Sequence, residues 1–292
     1  MDANDLLVEQ FEEHRAHLRA VAYRMLGSIS EADDALQEAW LRVSRAGTSD
    51  VENIGGWLTT VVGRVCLNIL RSRGTRREEP LNPNVPDPIV SRETGVDPEQ
   101  EALMADSVGL ALLVVLETLP PAERLAFVLH DMFAVPFDEI GPVVGRSATA
   151  ARQLASRARR RVQGAAPAPD SDRKRQREVV DAFFAAARDG DFEALVAVLD
   201  PDVVLRSDRG ALPGSAVIRG AEAVASQALM FADPSRLVRP ALVNGAAGVV
   251  VAADGQPVSV MGFTVADGKI VAIDALGDPE RLGRLDLAGL DE

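Results

Sequence analysis

The sequence predicts a multidomain protein in which two all-α modules precede one α+β domain. Three observations carry this reading. Apolar residues recur at helical spacing through most of residues 1–165, broken by a proline-rich stretch from Pro80 to Pro98. A second break, "GAAPAPDSDRKR", closes the helical part. Beyond it two helical segments give way to strand-like runs, and Asp267-Gly268 between "VMGFTV" and "KIVAIDAL" is a two-residue hairpin signal. Helices followed by an antiparallel meander argue for an α+β domain. The expected boundaries are 1–79 and 99–165 for the helical modules, 80–98 and 166–175 for linkers, and 176–292 for the last domain.

Composition fits this division. A chain of 292 residues, 47% hydrophobic and 26% charged, is of globular class and long enough for two or three cores. Cys66 is the only cysteine, which excludes an intrachain disulfide and a cysteine-based zinc site. No metal and no cofactor are expected, and a reducing, cytoplasmic location fits. The start "MDANDLLVEQFEEH" lacks the cationic and then apolar pattern of an export signal. The most apolar run, Val108 to Leu116, is far short of the roughly 20 residues that span a bilayer, so no membrane contact is expected.

The elements follow in order. In "SEADDALQEAWLRV", Ser30 reads as an N-cap with Asp33 three residues on, and Ala35, Leu36, Ala39, Trp40 and Val43 form an apolar stripe. A helix from about Ile54 to Arg73 ends in "RSRGTRRE", with Gly74 as its stop. Prolines 80, 83, 86, 88 and 98 give the next stretch linker composition, outside any core. "PEQEALMADSVGLALLVVLETL" reads as one long helix, Pro120-Pro121 opens the next, and "PFDEIGPVVG" is a short one. Gly145 and Arg146 then turn into "GRSATAARQLASRARRRV", which holds six arginines and no acid.

That basic helix is local. The formal net charge is −13, yet residues 125–175 carry +4 and residues 176–292 carry −8. On a helical wheel Ala151, Leu154, Ala155, Ala158 and Val162 gather on one face, while Thr149, Gln153, Ser156 and Arg160 lie opposite, flanked by Arg146, Arg152 and Arg157. Such side chains donate to phosphates and base edges, and the short turn before them suits a helix-turn-helix.

The stretch "LAFVLHDMFAVPFDEIGPVVGRSATAARQLASRARRRV" resembles sigma-factor region 4, which reads the −35 promoter element. "ISEADDALQEAWLRV" is similar to the acidic helix of region 2 that docks on core RNA polymerase, and "GGWLTTVVGRVCLNILRSRGTRRE" to the segment that opens and reads the −10 element. Region 2, a linker and region 4 with no region 3 is the order found in extracytoplasmic-function sigma factors. The resemblance implies binding and strand opening, with no catalytic residue in the factor itself. It implies contact with the β′ clamp and β flap of core polymerase and with promoter DNA. Asp33, Asp34, Gln37, Glu38 and Trp40 would meet polymerase. Arg64, Asn68, Arg71, Arg73, Arg76 and Arg77 would follow the −10 DNA, and Arg146, Ser147, Thr149, Arg152, Gln153, Ser156, Arg157 and Arg160 the −35 DNA, with Arg152, Gln153 and Arg157 foremost. Two other readings stay open here: a helix-turn-helix regulator that binds its operator without polymerase, and an enzyme with a DNA-binding module.

"VVDAFFAAARDGDFEALVAVLDPDVVLRSD" resembles the start of SnoaL-like domains, which implies a cone-shaped α+β barrel. Some extracytoplasmic-function sigma factors carry this extension. Their linker tryptophan motif corresponds to "NVPDPIV" here, their glycine-rich loop to "SDRGALPGS", and their Asn-Pro-Asp-Lys-Leu motif to "DPERL". These departures weaken the transfer of any contact between linker and domain. Acid–base chemistry in this domain would fall to Asp202, Asp208, Asp254 and Asp274 with Arg206 and Arg219, because every histidine and the one tyrosine lie outside it. Regulation is the stronger expectation: an acidic domain in intramolecular contact with the sigma regions would tune them.

Overall fold

Helices α1 (Ala3–Leu26), α2 (Ile29–Ala46) and α3 (Ile54–Thr75) bury one face each. Leu18, Val21 and Met25 of α1, Ala32, Ala35, Leu36, Ala39 and Val43 of α2, and Leu58, Val62, Val65 and Leu67 of α3 are among the buried apolar residues of these packed helices. The three- and four-residue steps of these sets are the helical period. Gly27, at φ 73°, turns the chain between α1 and α2. Asn53 caps α3 by accepting the Gly56 N–H at 3.0 Å. The expected cap at Ser30 is displaced: α2 starts at Ile29, Ser30 lies in its first turn, and its hydroxyl sits 3.1 Å from that of Ser28. Cys66 is sealed in this bundle, and burial pushes its thiol up to about 12.

The computed structural model describes residues 3–46, 53–75, 84–93, 109–165 and 169–287. They fall into two units: the described residues of 3–75 and 115–165 form the first, and those of 84–93, 109–114 and 169–287 the second. The expected long helix from Pro98 is described from α4 (Leu110–Glu117) onward, its earlier residues lying outside the described set.

The first unit continues with α5 (Pro121–Phe127), a π-helical turn (Val128–Met132), α6 (Phe137–Val144) and α7 (Ala148–Ala165). Gly145 leaves α6 in the left-handed region at φ 71°. The turn is so close that a Cβ on Gly141 would lie 2.8 Å from the Arg146 carbonyl oxygen. Ala151, Ala155 and Ala158 are fully buried, which lets α7 approach α5 and α6. The two helical modules also pack on each other. Leu125 and Leu129 reach Gly63, where a Cβ would stand 3.3 and 3.2 Å from them. Buried Arg124 donates Nη1 to the Met25 carbonyl at 2.8 Å, and desolvation pulls it down to about 10.

The second unit packs α8 (Arg173–Asp189), α9 (Phe192–Val198) and α10 (Ala221–Phe231) on a seven-stranded sheet. Its strands are β1 (Val90–Ser91), β2 (Leu199–Asp208), β3 (Ala216–Arg219), β4 (Leu237–Val243), β5 (Ala246–Ala253), β6 (Gln256–Ala266) and β7 (Lys269–Leu276), in the order β1-β4-β5-β6-β7-β2-β3. Among the described strands only the β2–β7 pair is parallel. Three two-residue turns build the meander: Asn244-Gly245, Asp254-Gly255 and Asp267-Gly268, each with both residues at positive φ. This is the hairpin geometry that matches strand twist. Val180, Phe183, Leu195, Val203, Phe263 and Ile273 form the core between helices and sheet. A last helix, α11 (Pro279–Leu282), follows β7.

Both linker expectations need correction where the chain is described. Residues 84–93 belong to the second unit: Val85, Ile89 and Val90 are buried, and β1 pairs antiparallel with β4. The prolines of this stretch exclude a helix, yet its apolar residues and its non-proline backbone suit the edge of β4. The domain also starts before residue 176. Asp170 accepts the Asp267 and Gly268 N–H groups at 3.0 Å each, so its carboxylate completes the β6–β7 turn.

Candidate promoter and polymerase interface

The turn after Gly145 presents the start of α7. Arg146, Ser147, Thr149, Arg152, Gln153, Arg157 and Arg160 are exposed there, and Ser156 is half-buried. Ser147 caps the helix by accepting the Ala150 N–H at 3.2 Å. The arginines are not equivalent. Arg159 donates Nε to Asp131 at 2.8 Å, and Arg161 donates to the buried carboxylate of Glu123 at 2.6 Å. Arg157 lies 3.3 Å from that same carboxylate. Its expected outward role is therefore corrected in part: one side of its guanidinium is engaged with the scaffold. Arg152 lies 5.2 Å from the centre of the Phe137 ring, a cation–π contact that steadies it without neutralising it.

On α3, Arg64, Asn68 and Arg71 are exposed, whereas Arg73 pairs with Glu31 of α2. Arg76 and Arg77 lie outside the described residues. On α2 the expected polymerase-facing set divides. Arg19 grips both carboxylate oxygens of Asp33, at 2.7 and 3.0 Å, so Asp33 holds α1 to α2 instead of offering an open carboxylate. Trp40 is half-buried, edge-on to Phe11 at 5.2 Å, and serves packing more than display. Glu38 is exposed and pairs with Arg42 at 2.8 Å. Asp34 and Gln37 are exposed beside it. One residue was missed. Leu41 is 48% exposed on the face of Asp34, Gln37 and Glu38, at the four-residue step from Gln37. Its signal was present, because Leu41 falls outside the stripe of Ala35, Leu36, Ala39 and Val43.

In the second unit "NVPDPIV", "SDRGALPGS" and "DPERL" meet at one point. Arg281 donates Nε to Asp87 at 2.7 Å and Nη1 to Asp208 at 2.8 Å, and a further N–H goes to the Val85 carbonyl. Asp208 also accepts the Val85 N–H at 3.0 Å, and Asn244 accepts the Ile89 N–H at 3.1 Å. The altered motifs thus keep a contact between linker and domain, although their departures weakened its transfer from the family. Arginine serves in the lysine's place because its planar fork reaches two carboxylates at once.

The candidate acid–base groups are spread out. Asp202, Asp254 and Arg219 are exposed, Asp254 as a turn residue, and Asp208 is taken up by Arg281. Asp274 is buried and bonded by Arg206 at 3.0 Å; burial pushes its carboxyl up, opposed by that guanidinium. A cavity of about 690 Å³ in this unit is lined by alternate residues, Leu205 and Ser207 of β2 with Arg209 just past its end, and Ile273 and Ala275 of β7 with Gly277 just past its end. Strand alternation therefore turns Arg206, Asp208 and Asp274 to the opposite face.

Comparison with known proteins agrees with this layout. The Sigma-70 region 2 family matches residues 10–76, and the Sigma-70, region 4 family matches residues 109–162. The chain is 39% identical over 290 residues to the ECF RNA polymerase sigma factor SigJ of Mycobacterium tuberculosis, covering 94% of this chain and 92% of that protein. It is 35% identical over 286 residues to the probable ECF RNA polymerase sigma factor SigI of the same species, covering 98% of each. The crystal structure of SigJ superposes with a TM-score of 0.77 at 36% identity, over 96% of this chain and 99% of that one. Two sigma regions in order and full-length likeness to such relatives lead to one conclusion: this chain belongs to the extracytoplasmic-function RNA polymerase sigma factors.

Proposed function

We propose that this sigma factor meets core polymerase through Asp34, Gln37, Glu38 and Leu41 of α2, follows −10 DNA with α3, reads the −35 element with Thr149, Arg152 and Gln153 of α7, and is restrained by its C-terminal domain. The domain acts by holding a segment of chain, without chemistry of its own. The observation that carries the restraint is the hold of Arg281, Asp208 and Asn244 on residues 84–93.

The physical need for release follows from lengths. Elements centred 25 base pairs apart lie about 85 Å apart on B-form DNA, at 3.4 Å per pair. A packed unit of this size has a radius of gyration of about 14 Å and is roughly 40 Å across. Regions 2 and 4 must therefore separate to engage both elements. The chain from residue 76 to 108 reaches at most roughly 110 Å when fully extended, so little slack exists. Ten residues retained on the domain remove a large share of it. A brake on the segment is thus a brake on promoter engagement.

Run-off transcription with core polymerase and promoter DNA tests both halves. Specific binding and strand opening should require core polymerase, and Arg281→Met should raise the initiation rate severalfold. Tight promoter binding without polymerase would defeat the first half. An equal or lower rate for Arg281→Met would defeat the second.

A further inference from the structure

The cavity of the second unit is lined by none of the residues assigned to promoter DNA or polymerase. At about 690 Å³ it falls within the roughly 300–1,000 Å³ of small-molecule sites. Phe184 of α8 and Phe231 of α10 close it against the sheet. Phe231, Leu237 and Val238 line it and remain 46%, 52% and 36% exposed. An apolar rim of this kind marks a site that takes up an apolar body. No histidine, tyrosine, cysteine or glutamate lines the cavity among the described residues, so its wall suits retention better than turnover.

Charge selects the ligand further. Three arginines line the cavity, Arg188, Arg209 and Arg236, against a single carboxylate, Asp233. Asp233 is occupied: it accepts the Ser235 hydroxyl at 2.7 Å and the Ser235 N–H at 2.9 Å, with Arg236 at 3.6 Å. Those two hydrogen bonds, and then Arg236, hold its carboxyl below the usual range. Arg188 is largely in solvent, 3.9 Å from Asp189. Arg209 differs from both. It is half-buried and has no carboxylate partner among the described residues. It runs through a slot made by two glycines. A Cβ on Gly214 would stand 3.2 Å from its Nη1, and one on Gly277 3.5 Å from its Cγ. The backbone therefore makes room for a guanidinium that no acid among the described residues neutralises.

We infer that this cavity binds an amphipathic carboxylate, its apolar part between Phe184, Phe231 and the sheet and its carboxylate on the Arg209 guanidinium. A planar guanidinium gives a carboxylate two parallel charge-assisted hydrogen bonds, and the surrounding low polarity strengthens them. The neighbouring residue, Asp208, points to the opposite face and carries the Arg281 contact. The ligand site and the hold on residues 84–93 are thus adjacent at the end of β2. The inference itself stands apart from the promoter reading and fails or holds independently of it.

Calorimetric titration of the full chain with decanoate, decanol and decylamine tests it. Decanoate should bind one per chain. Decanol should bind roughly tenfold more weakly, and decylamine more weakly still, tenfold being the size of one lost charged interaction. Arg209→Gln should bring decanoate down to the level of decanol, with thermal unfolding unchanged. Arg209→Lys, which keeps the charge but loses the fork, should fall between. The inference is overturned if decanoate does not bind one to one, if decanol binds as tightly as decanoate in the unaltered protein, or if Arg209→Gln leaves decanoate affinity intact. Should Arg209→Gln not fold, the order of the three ligands on the unaltered chain decides.

Discussion

Arg281 and Asp208 form an ion pair of 2.8 Å, and the same carboxylate oxygen accepts the Val85 backbone N–H at 3.0 Å. One side chain pair therefore joins the end of the C-terminal domain, its second strand and the segment between regions 2 and 4. Asp208 and Asp87 are both buried, so neither carboxylate is readily satisfied by water if Arg281 is removed. In Arg281→Met, amide hydrogen exchange across residues 84–93 should accelerate at least tenfold while β5 and β6 keep their protection. Unchanged exchange in that segment would show that the β1–β4 pairing suffices alone.

The arginines of α7 should separate in a salt titration. Arg152 has no carboxylate partner among the described residues, and Arg152→Ala should weaken promoter binding several-fold and reduce the salt slope of the holoenzyme by about 1. Arg161 is spent on Glu123 at 2.6 Å, so Arg161→Ala should leave the slope as it is and lower thermal stability instead. Arg157→Ala should do some of each. Equal slopes for the Arg152 and Arg161 variants would refute this ordering.

Leu41 is 48% exposed and lies outside the buried stripe of α2. Leu41→Asp should reduce affinity for core polymerase roughly tenfold, consistent with loss of one apolar anchor, while the melting temperature stays within about 2 °C of the parent. Fluorescence anisotropy with labelled sigma factor measures the first, and calorimetry the second. A folded Leu41→Asp protein with unaltered polymerase affinity would remove α2 from the proposed interface at this position.

Asp274 is buried at 3.0 Å from Arg206, and burial already raises its carboxyl pKa against the pull of that arginine. Removing the cation leaves the charge unpaired. Arg206→Met should cost about 3–5 kcal/mol at pH 7. The folded-state pKa then lies still further above the unfolded one, so the folded state holds the extra proton. Stability is therefore regained as pH falls from neutral toward the unfolded value near 4, and lost as pH rises. Denaturant melts between pH 4.5 and 7.5 should show this slope in the variant and much less of it in the parent. A variant whose stability falls with pH as steeply as the parent's would contradict it.

Much of this molecule is written locally. The alanines at 151, 155 and 158 mark the buried face of α7, and the Asp267-Gly268 turn follows from its dipeptide, because helical period and turn chemistry depend on neighbouring residues alone. The set expected to face polymerase was legible as a helix but not as a surface. Asp33 is held by Arg19, fourteen residues earlier, and no periodicity shows that partner. The six arginines look alike in sequence, yet Glu123 and Asp131 engage three of them from other helices.

The proline-rich stretch shows where local reading ends. Its prolines correctly exclude a helix, but the edge of β4, Asn244 and Arg281 come from far along the chain and turn a tether into an edge strand. The sequence by itself determined the two helical sigma regions, their order, the basic recognition helix and the α+β character of the last domain, since these rest on short-range pattern and composition. Tertiary structure alone decided which charges stay open, which segment the C-terminal domain holds, and that Arg209 faces an apolar cavity without a carboxylate partner among the described residues, because each depends on residues that only the folded chain brings within a few ångströms.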